Sequence, residues 1–432
     1  MTDDGRRRGG SLARGGAVLG AAAVLANGLG YGFTVVLAHE FGAAEYGALG
    51  ALLGAGLIGA IPAGGLQYVL ARRTAARDLG RHRNERAGLL LAVGVGAALG
   101  LLVIALAPAA RAFFHLESAW PAVWLGIMLL PYTISGALLG SLLGHERYVV
   151  FGAAQVLMAL GRFLAGVVAG LAGFSVTGAI GAVAVGTAVT CGLVYLLSGP
   201  RSWWRDDAVR AGALLGDLAR SCSAIAGIAV LSNLDLLLAR HYLPRDVSGA
   251  YALASLFAKV CLWGGQFVPM VVFARVSRGG RDRRLLLRAA LVCAAVGGLA
   301  VLAAAIAAGP IIRSVAGSDQ EYAGAVPLAV PFAVLGTLWA LVQLALLAAV
   351  AAGDPRPGRL LWVIVAAEAA LIAFGPHSSG GAILASCLGA AGALVIGGIL
   401  LDLRQSATEP DPGSASDRAD PRGPAPVSAT AD

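Results

Sequence analysis

The sequence predicts an all-α integral membrane protein: about twelve transmembrane helices in two halves of six, both termini cytoplasmic. Three observations predict it. Of the 432 residues, 58% are hydrophobic and only 13% charged, where a soluble domain carries roughly 25% charged residues. The apolar residues run in blocks of about twenty, the length that crosses a hydrocarbon core. The arginines fall in short clusters between those blocks, on alternate sides.

The blocks follow in order. Residues 1–15 are a basic cytoplasmic N-terminus with Arg6, Arg7 and Arg8. The apolar stretch after it is too long for a signal-peptide core and no convincing cleavage site follows, so it is the first membrane helix. Helices are predicted over Gly16–Ala38, Tyr46–Ala71, Ala87–Ala107, Ala119–Leu143, Val149–Leu171 and Val176–Ser198, forming an N-terminal lobe over 16–199. A second set is predicted over Ser221–Arg240, Gly249–Ala274, Leu287–Gly309, Gly324–Ala351, Arg359–Phe374 and Gly381–Leu401, forming a C-terminal lobe over 221–402. Between the lobes, residues 200–220 hold Trp203, Trp204, Asp206 and Asp207 and then Leu214, Leu215 and Leu218, the pattern of an amphipathic segment at the cytoplasmic headgroup level. The tail, 403–432, is rich in Pro, Ser, Ala and Asp and has too little apolar content to fold, which predicts disorder.

Orientation follows from the loops. Arg72 to Arg86, His145-Glu146-Arg147, Arg201 to Arg220, Arg275 to Arg288, Arg356 to Arg359 and Arg404 lie on one side with the N-terminus. The short, Arg-poor loops lie on the other: His39 to Glu45, Pro108 to Ser118, Gly173 to Ser175, His241 to Ser248, Pro310 to Tyr322 and Pro376 to Gly380. Positive loops stay inside, so this is a multi-pass protein of the cytoplasmic membrane.

The same patterns exclude other classes. The net charge of +8 lies in interhelical clusters, not on one soluble face, which argues against nucleic acid. Cys191, Cys222, Cys261, Cys293 and Cys387 sit in or beside apolar stretches without metal or redox spacing. Gly54-Ala-Gly56-Leu-Ile-Gly59 matches a dinucleotide fingerprint but lies inside a membrane helix and follows no strand. No phosphate-binding lysine motif, metal pair or large outer loop is present, so no cofactor, metal or enzymatic role is expected. The 61 glycines suit close helix packing in a bilayer.

An internal repeat joins the halves. Val35-Val-Leu-Ala-His-Glu-Phe41, followed by Gly47-Ala-Leu49, parallels Leu236-Leu-Leu-Ala-Arg-His-Tyr242, followed by Gly249-Ala-Tyr-Ala-Leu253. Six helices per half give both copies one orientation, related by an axis along the membrane normal. The segments Leu37–Leu49, Asn233–Pro244 and Ser248–Val260 resemble the polysaccharide biosynthesis and export proteins of the multidrug/oligosaccharidyl-lipid/polysaccharide flippase superfamily. The resemblance covers roughly residues 14 to 402. It implies two six-helix lobes around a central cavity, alternating access, and export of an oligosaccharide carried on polyprenyl pyrophosphate. It further implies contact with membrane lipids and with glycosyltransferases or a polymerase of the same pathway.

Ionisable residues within membrane helices are functional candidates by default. Here they are Arg162, Asp235, Lys259 and Glu368, and Lys259 is the single lysine of the chain. A cation at Lys259 or Arg162 would offset desolvation of a pyrophosphate, with Asn27, Asn233, Gln67 and Gln266 as polar partners in the cavity. The alternatives are a structural pair of Lys259 with Asp235 and an Arg162 that snorkels to an interface. Asp235 and Glu368 are coupling or structural charges. Asn27 stands just before Gly28, Gly30 and Gly32, where the helix either bends or packs closely; Pro62 and Pro269 would kink helices two and eight. A cation-coupled drug or metabolite exporter of the same superfamily is the alternative function.

Overall fold

The computed structural model describes residues 3–75, 81–199, 211–264, 268–269, 272, 283–316, 320–351 and 354–408. The regular structure among them is helical throughout. The helices are α1 (Asp3–Glu40), α2 (Ala43–Gly59), α3 (Ile61–Ala75), α4 (Arg81–Ala105), α5 (Ala107–Phe113), α6 (Trp120–Gly144), α7 (Tyr148–Leu171) and α8 (Val176–Ser198). They continue as α9 (Ala211–Leu231), α10 (Leu234–Tyr242), α11 (Arg245–Gly264), α12 (Arg283–Ala316), a 3-10 turn (Gln320–Ala325), α13 (Val326–Ala351), α14 (Arg356–Phe374) and α15 (Gly380–Thr408). Eleven stretches among the described residues are long and apolar enough to cross a membrane. They are α1, α2 with α3, α4, α6, α7, α8, α11, α12, the turn with α13, α14 and α15. Large apolar side chains face outward, with Leu171 79% and Phe374 91% exposed, as a surface bathed in lipid requires. The chain is a multi-pass membrane protein.

The predicted seventh helix, Ser221–Arg240, departs from expectation. It is divided between α9 and α10 at Ser232–Asn233 and is not among the eleven. The cause is local competition for carbonyls. Ser232 Oγ donates to the Ile228 carbonyl at 2.8 Å and Asn233 Nδ2 to the Ala229 carbonyl at 2.9 Å. Short polar side chains that bond their own backbone offer the chain an alternative to the helical ladder, and Asn233 sits at φ −137°, ψ −11°. The predicted linker over 200–220 is also affected: α9 begins at Ala211, with Leu214 and Leu218 buried. Residues 200–210, the tail beyond 408 and most of the backbone around Pro269 lie outside the described residues.

At Asn27, where a bend is one of the two expectations, no break occurs. Helix α1 runs through it unbroken. Close packing accounts for Gly32, where a Cβ would stand 3.0 Å from the Phe163 ring, but not for Gly28 or Gly30, where one would meet nothing within 4 Å. Helix α2 does stop at Ala60, one residue before α3, and Pro62 falls in the first turn of α3, where its missing N–H costs nothing.

Helices of the first half pack on one another, α1 on α7 and both α3 and α4 on α6. Those of the second half do likewise, α11, α12 and α15 against α13. The halves meet chiefly along α2–α11 and α3–α9. In a bilayer such contacts rest on close van der Waals approach, because lipid tails are as apolar as leucine. Glycine permits it where the halves cross: a Cβ at Gly249 would collide with the Ala43 carbonyl, and one at Gly47 would lie 2.6 Å from Ser248 Oγ. These are the paired glycines of the sequence repeat. A second echo lies deeper. Pro131 and Gly136 on α6 correspond to Pro331 and Gly336 on α13, and each glycine seats its helix on a carbonyl, that of Ala63 on α3 or of Ala258 on α11.

Candidate functional site

A cavity of about 190 Å³ lies between the halves. Its wall takes Gly30, Phe33, Thr34 and Leu37 from α1, and Tyr46, Gly50, Gly54 and Gly56 among others from α2. Helix α6 adds Met128 and Tyr132, α7 adds Arg162, α10 adds Leu236, and α11 adds Ser255 and Lys259. The α2 glycines bring that helix close to the second half beside the cavity: a Cβ at Gly50 would stand 3.1 Å from that of Ala252, and one at Gly54 3.3 Å from Leu237 Cδ1.

Two cations reach this wall from different halves. Arg162 is half-buried and holds its guanidinium 5.8 Å from the centre of the Tyr132 ring, within cation–π range. It makes no ion pair with the described residues, and it lines the cavity. Lys259 is also half-buried, and its backbone carbonyl accepts the Tyr31 hydroxyl at 3.2 Å, which ties α11 to α1. The expected ion pair with Asp235 is not formed. Asp235 is 0% exposed and its Oδ2 accepts the Tyr251 hydroxyl at 3.1 Å, while Oδ1 has no partner. No aspartate or glutamate lines the cavity. Glu368, on α14, is 1% exposed with both carboxylate oxygens unpartnered.

The uncharged candidates fall elsewhere. Asn27 is exposed on α1, on the helix stripe of Gly30, Thr34 and Leu37 but one turn beyond the cavity. Gln67 lies where α3 packs on α6, its backbone against Gly140. Asn233 is buried behind the wall, with Oδ1 unpartnered and 3.4 Å from where a Cβ on Gly54 would stand. Gln266 lies outside the described residues. Sequence reasoning passed over Tyr132, Thr34 and Ser255. It dismissed Gly54 and Gly56 as a false nucleotide motif, and as glycines of a membrane helix they line the cavity.

Both ends of the α2–α3 span are tied across to the second half. At one end Arg73 donates from Nε to Asp217 Oδ2 at 3.0 Å, joining α3 to α9. At the other, Arg240 is 4% exposed and meets no carboxylate. Its Nε donates to the Phe114 carbonyl at 3.0 Å, and its Nη1 to the Ala44 carbonyl at 3.0 Å and to Ser248 Oγ at 3.1 Å. Tyr322 adds a hydrogen bond to the Phe41 carbonyl at 2.9 Å. The Arg240 end is therefore shut, backbone to side chain, across the halves.

No family profile and no curated protein matches the sequence. Solved structures do match the fold. The lipid II flippase MurJ in an inward closed conformation aligns with a TM-score of 0.72 at 10% identity, over 90% of this chain and 87% of that one. An inward-facing multidrug resistance MATE family transporter of the MOP superfamily aligns with a TM-score of 0.68 at 15% identity, over 90% and 96%. A MOP superfamily transporter from Pyrococcus furiosus aligns with a TM-score of 0.59 at 14% identity, over 92% and 96%. These proteins are transporters, not enzymes, and at such identities they share with this chain a fold: that of the MOP superfamily.

Proposed function

We propose that the protein flips an oligosaccharide linked to polyprenyl pyrophosphate across the cytoplasmic membrane by alternating access. One observation carries the reading: Arg162 and Lys259, neither ion-paired, meet from opposite halves on a cavity whose wall has no carboxylate. Arg162 has no anionic partner among the described residues and Lys259 only the longer-range charge of buried Asp235, so both cations remain costly at low dielectric until an anion joins them. A pyrophosphate supplies that charge at the junction of lipid and sugar, and Arg162 offers it a planar fork where Lys259 offers a point charge.

The architecture behind this reading is two six-helix lobes with both termini cytoplasmic. The segment α9–α10 is the seventh span, broken at Ser232–Asn233, as transport proteins break helices beside their sites. The Arg240 end is then the outer one, and the shut seam there makes this the outward-closed state. Ligand pockets commonly measure about 300–1,000 Å³, so 190 Å³ would hold a pyrophosphate but not a glycan. The lobes must part to admit the sugar. Glycosyltransferases or a polymerase of the same pathway would supply and consume the substrate.

Asn27, Gln67, Asn233 and Gln266 remain secondary contacts that a wider cavity would recruit. Asp235 and Glu368 are read as coupling charges, buried in the second lobe with unpartnered oxygens. That observation also favours the second reading, a cation-coupled exporter of drugs or metabolites.

The deciding experiment reconstitutes the chain in liposomes with a fluorescent undecaprenyl-pyrophosphate glycan, with and without proton or sodium gradients. The flippase reading expects transbilayer movement that is lost in Arg162→Ala/Lys259→Ala while the variant still inserts and folds. Undiminished movement in that double variant would overturn it. Gradient-driven efflux of cationic dyes with no lipid movement would establish the exporter instead.

A further inference from the structure

We propose a second anion site, separate from the central cavity, at the outer seam: Arg111, His115 and Arg245 bind a phosphate-class anion that holds the two halves shut. An open pocket of about 380 Å³ is lined by these three with Pro108, Ala112 and Leu116. Arg111 and His115 come from the segment between the third and fourth spans of the first half. Arg245 begins α11 in the second half. Both arginine side chains are exposed, and neither has a hydrogen-bond or ion-pair partner among the described residues. Glu117 and Asp246 are near in sequence, yet neither lines the pocket.

The backbone there is built to hold the shape. His115 has φ 51°, the left-handed residue that caps α5: the Leu116 N–H closes on the Arg111 carbonyl at 3.0 Å and the His115 N–H on that of Ala112 at 3.4 Å. The other half adds its own contacts to this cap. Arg240 Nε donates to the Phe114 carbonyl at 3.0 Å, and His241 Nδ1 lies 2.9 Å from the Phe113 carbonyl while its ring stacks on Phe113 with centroids 4.2 Å apart. The two carbonyls just before His115 are thus gripped from across the seam.

Closing the seam therefore brings two unneutralised guanidinium groups into one pocket, one from each half. Their repulsion opposes closure, and an anion between them reverses its sign. A phosphate accepts hydrogen bonds from both forks at once, with His115 as a third donor. Because the pocket straddles the seam, the anion binds the shut state and not the parted one, so it shifts the equilibrium toward closure. The anion is either the phosphate of an anionic lipid headgroup or free phosphate or pyrophosphate at the outer surface.

The test uses the full chain in nanodiscs, on an Arg162→Ala/Lys259→Ala background so that the central cations contribute nothing, with the wild-type chain run beside it. Hydrogen exchange is followed over Pro108–Ser118. One arm adds inorganic pyrophosphate to phosphatidylcholine discs; the other replaces part of the phosphatidylcholine with phosphatidylglycerol. Exchange should slow in at least one arm, and the arm that responds names the source. Arg111→Gln or Arg245→Gln should each weaken the effect about tenfold, as loss of one charge-assisted contact does, and the pair should abolish it. No slowing in either arm, or slowing that survives Arg111→Gln/Arg245→Gln, would overturn the proposal. Failure of the central cavity's proposed role leaves this readout untouched.

Discussion

The two pairs of intramembrane charges are treated oppositely by the fold. Arg162 and Lys259 come from different halves, stay half-buried and reach one cavity. Asp235 and Glu368 both belong to the second half, are 0% and 1% exposed, and contribute nothing to the cavity wall. The difference teaches that sign is sorted by depth. A ligand entering between the halves meets positive charge, whereas only a small cation or a proton could answer the carboxylates. In the proposed mechanism the first pair recognises and the second couples.

The strongest way to break this comparison is charge reversal at the cavity. Arg162→Glu with Lys259→Glu replaces two attractions by two repulsions. Each charged hydrogen bond contributes about 1.5–3 kcal/mol, so affinity for a pyrophosphate-linked lipid should fall about a hundredfold or more. Binding measured by titration in nanodiscs checks it, and unchanged affinity would mean the lipid binds elsewhere.

A smaller effect should separate the carboxylates from recognition. Asp235→Asn and Glu368→Gln keep the shape and remove the charge. Lipid affinity should stay near that of the wild type, while stimulation of flipping by an ion gradient drops about tenfold, the size of an ordinary coupling free energy. If affinity collapses and the gradient response survives, the two pairs have been given each other's roles.

How much of this was legible in sequence depends on how each feature is encoded. Helix positions were legible because crossing hydrocarbon requires length and apolarity, which are additive along the chain. Arg162, Lys259, Asp235 and Glu368 were legible because one charge in an apolar run is visible without a structure. The break at Ser232–Asn233 was not, since no proline or glycine marks it and it depends on side chains turning back on carbonyls at Ile228 and Ala229. Of the α1 glycines, Gly32 packs on Phe163 as close packing expects, whereas Gly28 and Gly30 misled for a related reason. Sequence reveals that Gly28 and Gly30 lack side chains, but whether the space is taken by a neighbour or left open is a tertiary fact. Pairing was illegible too: Asp235 and Lys259 sit in adjacent helices, but Tyr251 takes the bond that Lys259 was expected to make.

That bond offers a third, milder test. Tyr251→Phe strips Asp235 Oδ2 of its donor and leaves a buried carboxylate with less compensation. A loss of about 1–3 kcal/mol of stability is expected, seen as earlier unfolding in detergent, with lipid affinity unaltered. Weakened lipid binding instead would tie Asp235 to recognition.

The smallest expected effect sharpens the cation side. Tyr132 lies under the Arg162 guanidinium at 5.8 Å, and both line the cavity. The ring's negative face attracts the cation and restricts where it can swing, which orients the fork without neutralising it; a carboxylate in that place would cancel the charge offered to the ligand. Tyr132→Leu keeps the bulk apolar and removes the quadrupole. At about 0.5–1 kcal/mol for a partly exposed pair, lipid affinity should fall roughly two- to fivefold. Tyr132→Trp should restore it, because the indole face binds cations best, and Tyr132→Phe should fall between. A series in which Leu, Phe and Trp bind alike would show that the ring merely fills space, and that Arg162 is aimed at the cavity by the packing of α7 alone.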